Sequence, residues 1–169
     1  MPTLISRAEA LARIVRDARH PACLMCAIVE RKAGPVHVVF EDDEQLVTLP
    51  LYVRRWGHVM VVPKPHVIGY AEVDPELWAR TSRLALQAAR MVERVMGPRR
   101  CYMASTGSSN GEELIQTSRH LHIHVIPIYE PDDRPGSVFS WSEGVYVGEP
   151  DEWAELLARY RAQWSACSC

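Results

Sequence analysis

Apolar and polar positions follow two periods along this chain, and each predicts its own elements. In His120-Leu121-His122-Ile123-His124-Val125-Ile126-Pro127 the alternation is strict. Such a pattern predicts a β-strand with His120, His122 and His124 on one face and Leu121, Ile123 and Val125 on the other. Val36 to Phe40 and Leu46 to Leu49 read as hairpin partners across an acidic turn, Glu41 to Glu44. A third strand is expected over His58 to Val62, stopped by Pro63-Lys64-Pro65, and a fourth over Cys101 to Ala104. Helical spacing appears over 6–18, where Ser6 and Glu9 form a capping-box pair ahead of Leu11 and Ile14, and His20-Pro21 ends the run. The longest helix should begin at Asp74 as N-cap with Pro75 at its first position. It carries Leu77, Thr81, Leu84, Ala85, Ala88, Met91, Val92 and Val95 on a buried stripe and closes at Gly97-Pro98. A last helix from about Asp151 places Trp153, Leu156, Leu157, Tyr160 and Trp164 on one face, to be packed on the domain or on a second subunit.

Length and composition narrow the class. At 169 residues, 47% of them hydrophobic, the chain suits one domain with a full core. A formal charge of −2 gives no basic field for nucleic acid or anionic lipid, so neither is expected as a partner. No apolar run approaches the length that spans a bilayer, and Arg7, Glu9, Arg13, Arg16 and Asp17 exclude a secretory leader over Met1 to Arg19. The expectation is a cytoplasmic protein. Five cysteines, an odd number, argue against a disulfide framework in that compartment. Cys23 and Cys26, in a Cys-x-x-Cys turn leading into the domain, suit half of a zinc site or a redox pair; Cys167 and Cys169 lie at a terminus where fraying is expected and take no role.

Three imidazoles in strict alternation are too costly to satisfy as ordinary core residues. Two chemistries fit them. The row can bind a catalytic metal with an open position, or one neutral imidazole can attack phosphorus while its neighbours hold the tautomer and relay a proton. The small-residue loop from Ser105 to Glu112 has the composition to cradle a phosphate, although most such loops are connectors.

The segment Gln116-Thr117-Ser118-Arg119-His120-Leu121-His122-Ile123-His124-Val125-Ile126-Pro127 resembles the His-φ-His-φ-His-φ-φ signature of the histidine triad (HIT) superfamily. Gly57 to His66 resembles that family's Gly-His-x-Leu-Val-Ile-Pro-Lys-x-His segment, and Cys23 to Ile28 the Cys-x-x-Cys-x-Ile opening of its zinc-carrying branch. Asn110-Gly111-Glu112 stands at the usual distance before the glutamine. The matches fall in order over roughly residues 23 to 129, with an N-terminal helix at 6–18 and a C-terminal extension from 130 to 169 in a single HIT-like domain. The resemblance implies an α+β fold with an antiparallel sheet of about five strands, one long helix on it, terminal helices, and pairing into a homodimer. It implies hydrolysis or transfer of nucleoside monophosphates from phosphoramidates, phosphoanhydrides or dinucleoside polyphosphates. By position His122 would be the nucleophile, His124 and His58 would orient and proton-couple it, and Gln116, Thr117, Ser109 and Asn110 would contact substrate. Cys23, Cys26, His66 and His120 would ligate a structural zinc.

The chain also departs from the family pattern. Ser109 stands where many members have Asn, Ile115 replaces the glycine before the glutamine, and Thr48-Leu49-Pro50 lacks the aspartate that commonly holds the ribose. These departures keep open a catalytically weakened nucleotide-binding module, beside a metalloenzyme that uses the histidine row itself. Arg119 is expected opposite the histidines, and Arg54, Arg55 and Trp56 on a solvated turn.

Overall fold

A computed structural model of the chain describes residues 1–17, 23–105, 107 and 119–166. Ser109, Asn110, Ile115, Gln116, Thr117, the His20-Pro21 stop and the terminal Cys167 and Cys169 lie outside the described residues. In chain order the elements are β1 (Thr3–Ile5), α1 (Arg7–Asp17), α2 (Leu24–Val29), β2 (His37–Glu41), β3 (Gln45–Leu49) and β4 (Val59–Pro63). There follow α3 (Pro75–Met96), β5 (Arg100–Ser105), β6 (Ile123–Ile128), α4 (Pro135–Ser140), β7 (Val145–Val147) and α5 (Pro150–Ala166). The fold is α+β, built on a five-stranded antiparallel sheet in the order β2-β3-β4-β6-β5.

Strand alternation gives the sheet two buried faces with different tasks. Val47, Leu49, Val59, Val61, Ile123 and Val125 meet α3 and α5 in the main core. Leu46, Met60 and Val62 face the other way, against Cys23 and Met25. His58 and His124 share this second side, since His124 pairs with Met60 across the β4–β6 ladder and His58 lies two residues before Met60. The helical side is held at its ends by capping. Asp74 accepts from the backbone N–H groups of Glu76 and Leu77 at the start of α3, and Gly97, at φ 60°, closes it in the left-handed conformation. Ser6 likewise accepts from Glu9 N–H at the start of α1. Gln45 and Thr81 satisfy each other inside the core, tying the start of β3 to α3 at 3.0 Å. The face of α5 carrying Trp153, Leu156, Tyr160 and Trp164 packs on this domain, which decides between the two placements left open by the sequence.

Two expectations are corrected. The histidine strand is shorter than the alternation suggests: β6 begins at Ile123, so His120 and His122 precede it. Their backbone is held by other partners. Leu121 N–H donates to the Val67 carbonyl at 2.7 Å, and Ser105 Oγ donates to the His122 carbonyl at 2.6 Å. Cys23 is not on a turn but is the N-cap of α2, its sulfur accepting from Cys26 N–H. The three-residue strands β1 and β7, which pair with each other, and the six-residue α2 and α4 are too short to show a period in sequence. Among the described residues no helix is long and apolar enough to cross a membrane.

One residue couples the core to the second face. Gly57, immediately before His58, has φ 95°, and its carbonyl accepts a 2.6 Å hydrogen bond from the fully buried Tyr160 hydroxyl. A Cβ there would stand 2.7 Å from that hydroxyl. Gly57→Ala should therefore destabilise the fold by about 2–4 kcal/mol, through left-handed strain and overpacking together. Tyr160→Phe should cost about 1–2 kcal/mol by leaving the carbonyl unpaired. Denaturant midpoints of the two variants check both values.

Candidate functional site

The second face of the sheet carries a chain of hydrogen-bonded imidazoles whose protons can be assigned from one end. His122 Nδ1 lies 2.6 Å from the His120 carbonyl. A carbonyl only accepts, so the His122 proton is on Nδ1 and its Nε2 presents a lone pair. That Nε2 is 3.1 Å from His124 Nε2, which must then be the N–H. His124 Nδ1 is left as an acceptor, 3.0 Å from His58 Nε2, and His58 donates. His58 Nδ1 is buried without a partner, as suits a bare lone pair at the end of the chain. All three rings are buried, with His122 and His124 at 3% and 7% exposure and His58 at 0%.

Burial keeps these rings neutral. It pushes His58 and His124 well below the ordinary 6.5, with the Arg54 charge adding in the same direction. His122 is lowered to about 4, chiefly by desolvation and against the raising effect of its bond to the His120 carbonyl. The arrangement therefore keeps His122 Nε2 unprotonated, next to the His124 N–H, near neutral pH.

Arg54 corrects the solvated-turn reading. It comes from the connection between β3 and β4, is only 5% exposed, and sets Nη1 3.5 Å from His124 Nδ1. Its guanidinium lies over the rings of Phe139 and Trp141, 5.7 and 5.6 Å from their centroids. Arg55 points elsewhere, to the carboxylates of Asp133 and Glu143, and Trp56 packs on Trp153 with ring centroids 4.5 Å apart. Val53 and Tyr146 exchange backbone hydrogen bonds of 3.0 and 2.8 Å. The 131–148 segment is thus fastened to the stretch that delivers Arg54. Two adjacent arginines between strands ordinarily mark a solvated turn. The counter-signal was the pair of aromatic residues some 85 positions later, by the difference between Phe139 or Trp141 and Arg54, which no local pattern connects.

A second cluster adjoins the first through His120. The sulfurs of Cys23 and Cys26 and one ring nitrogen each of His66 and His120 lie within 4.8 Å of one another. Cys26 Sγ is 3.2 Å from His66 Nδ1 and 3.4 Å from His120 Nδ1, and Cys23 Sγ is 3.6 Å from His120 Nδ1. Two donors on one tetrahedral zinc stand about 3.3–3.8 Å apart, close to these spacings of 3.2 to 3.6 Å. The ring orientation fits as well. His120 Nε2–H donates to the Pro63 carbonyl at 2.7 Å, which fixes the lone pair on Nδ1 and turns it to the sulfurs. Burial, with Cys23 alongside, raises the Cys26 thiol to about 11, and a divalent cation is what makes two adjacent thiolates stable.

The structure thus brings together His58, His122 and His124 in one group and Cys23, Cys26, His66 and His120 in another. Arg119 is exposed, and Thr48 is buried with its hydroxyl donating to the His37 carbonyl inside the sheet.

The HIT domain family model matches residues 31–131. The protein hit of Bacillus subtilis is 30% identical over 129 residues, covering 75% of this chain and 85% of that protein. The adenylylsulfatase HINT3 of Arabidopsis thaliana is 28% identical over 111 residues, covering 65% of this chain and 54% of that protein. A solved zinc-bound histidine triad family protein from Mycobacterium smegmatis superposes with a TM-score of 0.65 at 25% identity, over 85% of this chain and 94% of that one. With the family model spanning more than half of its length, this chain belongs to the HIT domain family.

Proposed function

We propose that this protein hydrolyses or transfers nucleoside monophosphate groups from phosphoramidates, phosphoanhydrides or dinucleoside polyphosphates, with His122 as nucleophile. The observation that carries this reading is the one-directional imidazole chain, in which His122 Nε2 is unprotonated and faces the His124 N–H. That nitrogen attacks the α-phosphorus, the bond to the leaving group breaks, and a nucleotidyl-histidine is formed. Water or another acceptor then takes the nucleotide from His122. Along the way, the His124 N–H facing Nε2 hydrogen-bonds the departing atom, and His58 keeps His124 in that tautomer. The distant adenylylsulfatase relative supports a nucleotide as the substrate. Gln116, Thr117, Ser109 and Asn110 enter the reading as substrate contacts on sequence grounds alone.

Zinc belongs to the same reading as a structural cofactor. Cys23, Cys26, His66 and His120 would hold it in a closed set of two thiolates and two imidazoles, and it would cross-link the α2 turn, the end of β4 and the histidine segment. The zinc-bound mycobacterial neighbour supports the choice of metal. Pairing into a homodimer is part of the proposal too, with the edge strand β5 and its exposed Met103 open to a second copy.

Three outcomes are expected. Acid-quenched reactions should yield a nucleotidyl adduct on His122 by mass spectrometry, and His122→Ala should lose both the adduct and at least about 1,000-fold in kcat/KM while staying folded. Tight nucleotide binding by the wild type without any adduct would instead assign a binding module. Because the imidazoles are neutral below 6.5, kcat/KM should stay flat from pH 7.5 to about 5.5. The same depression means that the unfolded chain takes up protons first, so stability is complete above about 6.5 and falls as pH drops toward the folded values. Finally, elemental analysis should find about one zinc per chain, retained in His122→Ala and lost in Cys26→Ser. Chelation should lower the thermal midpoint by roughly 10 °C, the shift for about 3–4 kcal/mol in a chain of this length.

A further inference from the structure

Two donors converge on His124 Nδ1: His58 Nε2 at 3.0 Å and Arg54 Nη1 at 3.5 Å. They are not equivalent. A neutral His58 can carry its proton on either ring nitrogen, and its buried Nδ1 has no hydrogen-bond partner to fix the choice. A guanidinium has N–H groups only and can never accept. Burial lowers Arg54 to about 10, which leaves it a cation at neutral pH. It is 5% exposed and pairs with no carboxylate among the described residues, so its field on the imidazole is not cancelled. Its position is also fixed. Phe139 and Trp141 lie beneath the guanidinium, Val53 before it is bridged to Tyr146, and Arg55 after it is clamped by Asp133 and Glu143.

We propose that Arg54 is a positioning residue of the reaction, holding the His124 proton on Nε2, toward the phosphoryl group, while His122 is bonded to phosphorus. This rests on the nucleotidyl-histidine reading above. In the resting chain the lone pair of His122 Nε2 receives the His124 N–H at 3.1 Å, and the His120 carbonyl fixes both tautomers. Forming the N–P bond, as the bond from phosphorus to the leaving group breaks, uses that lone pair. The constraint from the His120 carbonyl then no longer reaches His124. His124 and His58 are left free to change tautomer together, each moving its proton from Nε2 to Nδ1. The change would turn a lone pair toward the phosphoryl oxygens and the departing atom, and the hydrogen bond that stabilises them would be lost. It would also set a His124 Nδ1–H against the Arg54 N–H, two donors beside a full positive charge in a desolvated site. Arg54 thereby excludes the change. Oxygen and nitrogen leaving atoms both accept from the His124 N–H, so the role is the same for anhydrides and phosphoramidates.

The test removes the His122 constraint and reads the His124 proton directly. In the full chain carrying His122→Ala, nitrogen NMR of labelled histidine should show the His124 proton on Nε2, the signals being assigned by their loss in a further His124→Asn variant. Adding Arg54→Met should shift the ratio of the two tautomers about 10-fold toward Nδ1–H, the lower end for a hydrogen bond to a charged group. Arg54→Lys, which keeps a cation with donors only, should retain the Nε2 proton. Arg54→Gln repeats the comparison with a neutral polar side chain should the Met variant fail to fold. With His122 present, Arg54→Met should slow single-turnover adduct formation at saturating substrate about 10-fold, for adenosine phosphoromorpholidate and diadenosine triphosphate alike. An unchanged tautomer ratio, or an effect confined to the substrate concentration required, overturns the inference and leaves the nucleotidyl-histidine intact. A wild type that forms no nucleotidyl adduct with either substrate overturns the underlying reading and this role with it.

Discussion

A neutral imidazole has one N–H and one lone pair, and burying several side by side forces them into a single directed chain. This constraint governs the second face of the sheet. Once the His120 carbonyl claims the Nδ1 proton of His122, the tautomers of His122, His124 and His58 follow in turn. Reversing any one ring would bring two N–H groups, or two lone pairs, face to face at about 3 Å in a desolvated site, at a cost of a few kcal/mol. Protonating one ring would break the chain in the same way, which accords with the depressed values of all three.

His120 is where the two clusters meet, and its atoms divide the work. Its carbonyl orients His122, its Nε2–H is fixed by the Pro63 carbonyl, and its Nδ1 faces the cysteines. A metal at the cysteine cluster would therefore steady the carbonyl on which the imidazole chain depends without touching His122 Nε2. The short backbone contacts of Leu121 and His122 serve the same end, since neither residue has a ladder partner. Ending β6 at Ile123 frees His120 to turn toward Cys23 and Cys26, which a regular strand would have held in register with His122.

Much of the fold was legible because it is written in long periods. The α3 stripe with Asp74, Pro75 and Gly97 at its ends, the four other strands of the sheet, and the aromatic face of α5 all show in sequence. The Cys23, Cys26, His66 and His120 set and the His58, His122 and His124 set were legible as residues, although strand alternation overstated how far the ladder runs. What was not legible depends on contacts between distant, short segments. The β1–β7 pair spans most of the chain with three residues on each side, and the Val53–Tyr146 bridge is a single residue pair. Arg54 was misread for that reason, since charge in a two-arginine turn predicts solvent, and only the fold brings Phe139 and Trp141 under it.

The C-terminal extension consequently acts as part of the site's wall. Three different interactions hold it against the β3–β4 connection: the backbone exchange at Val53, the Arg55 ion pairs, and the rings under Arg54. They fall on three consecutive residues, so the connection cannot rotate to return Arg54 to water without breaking its neighbours on both sides. An exposed ion pair alone would contribute little, but Arg55 and Asp133 are 11% and 6% exposed, and their pairing is shielded from solvent and salt. Buried charge is thus distributed unevenly along adjacent residues, with Arg55 paired to two carboxylates and Arg54 to none among the described residues. The asymmetry leaves the Arg54 charge against the His124 ring, where it adds to burial in keeping the imidazoles neutral.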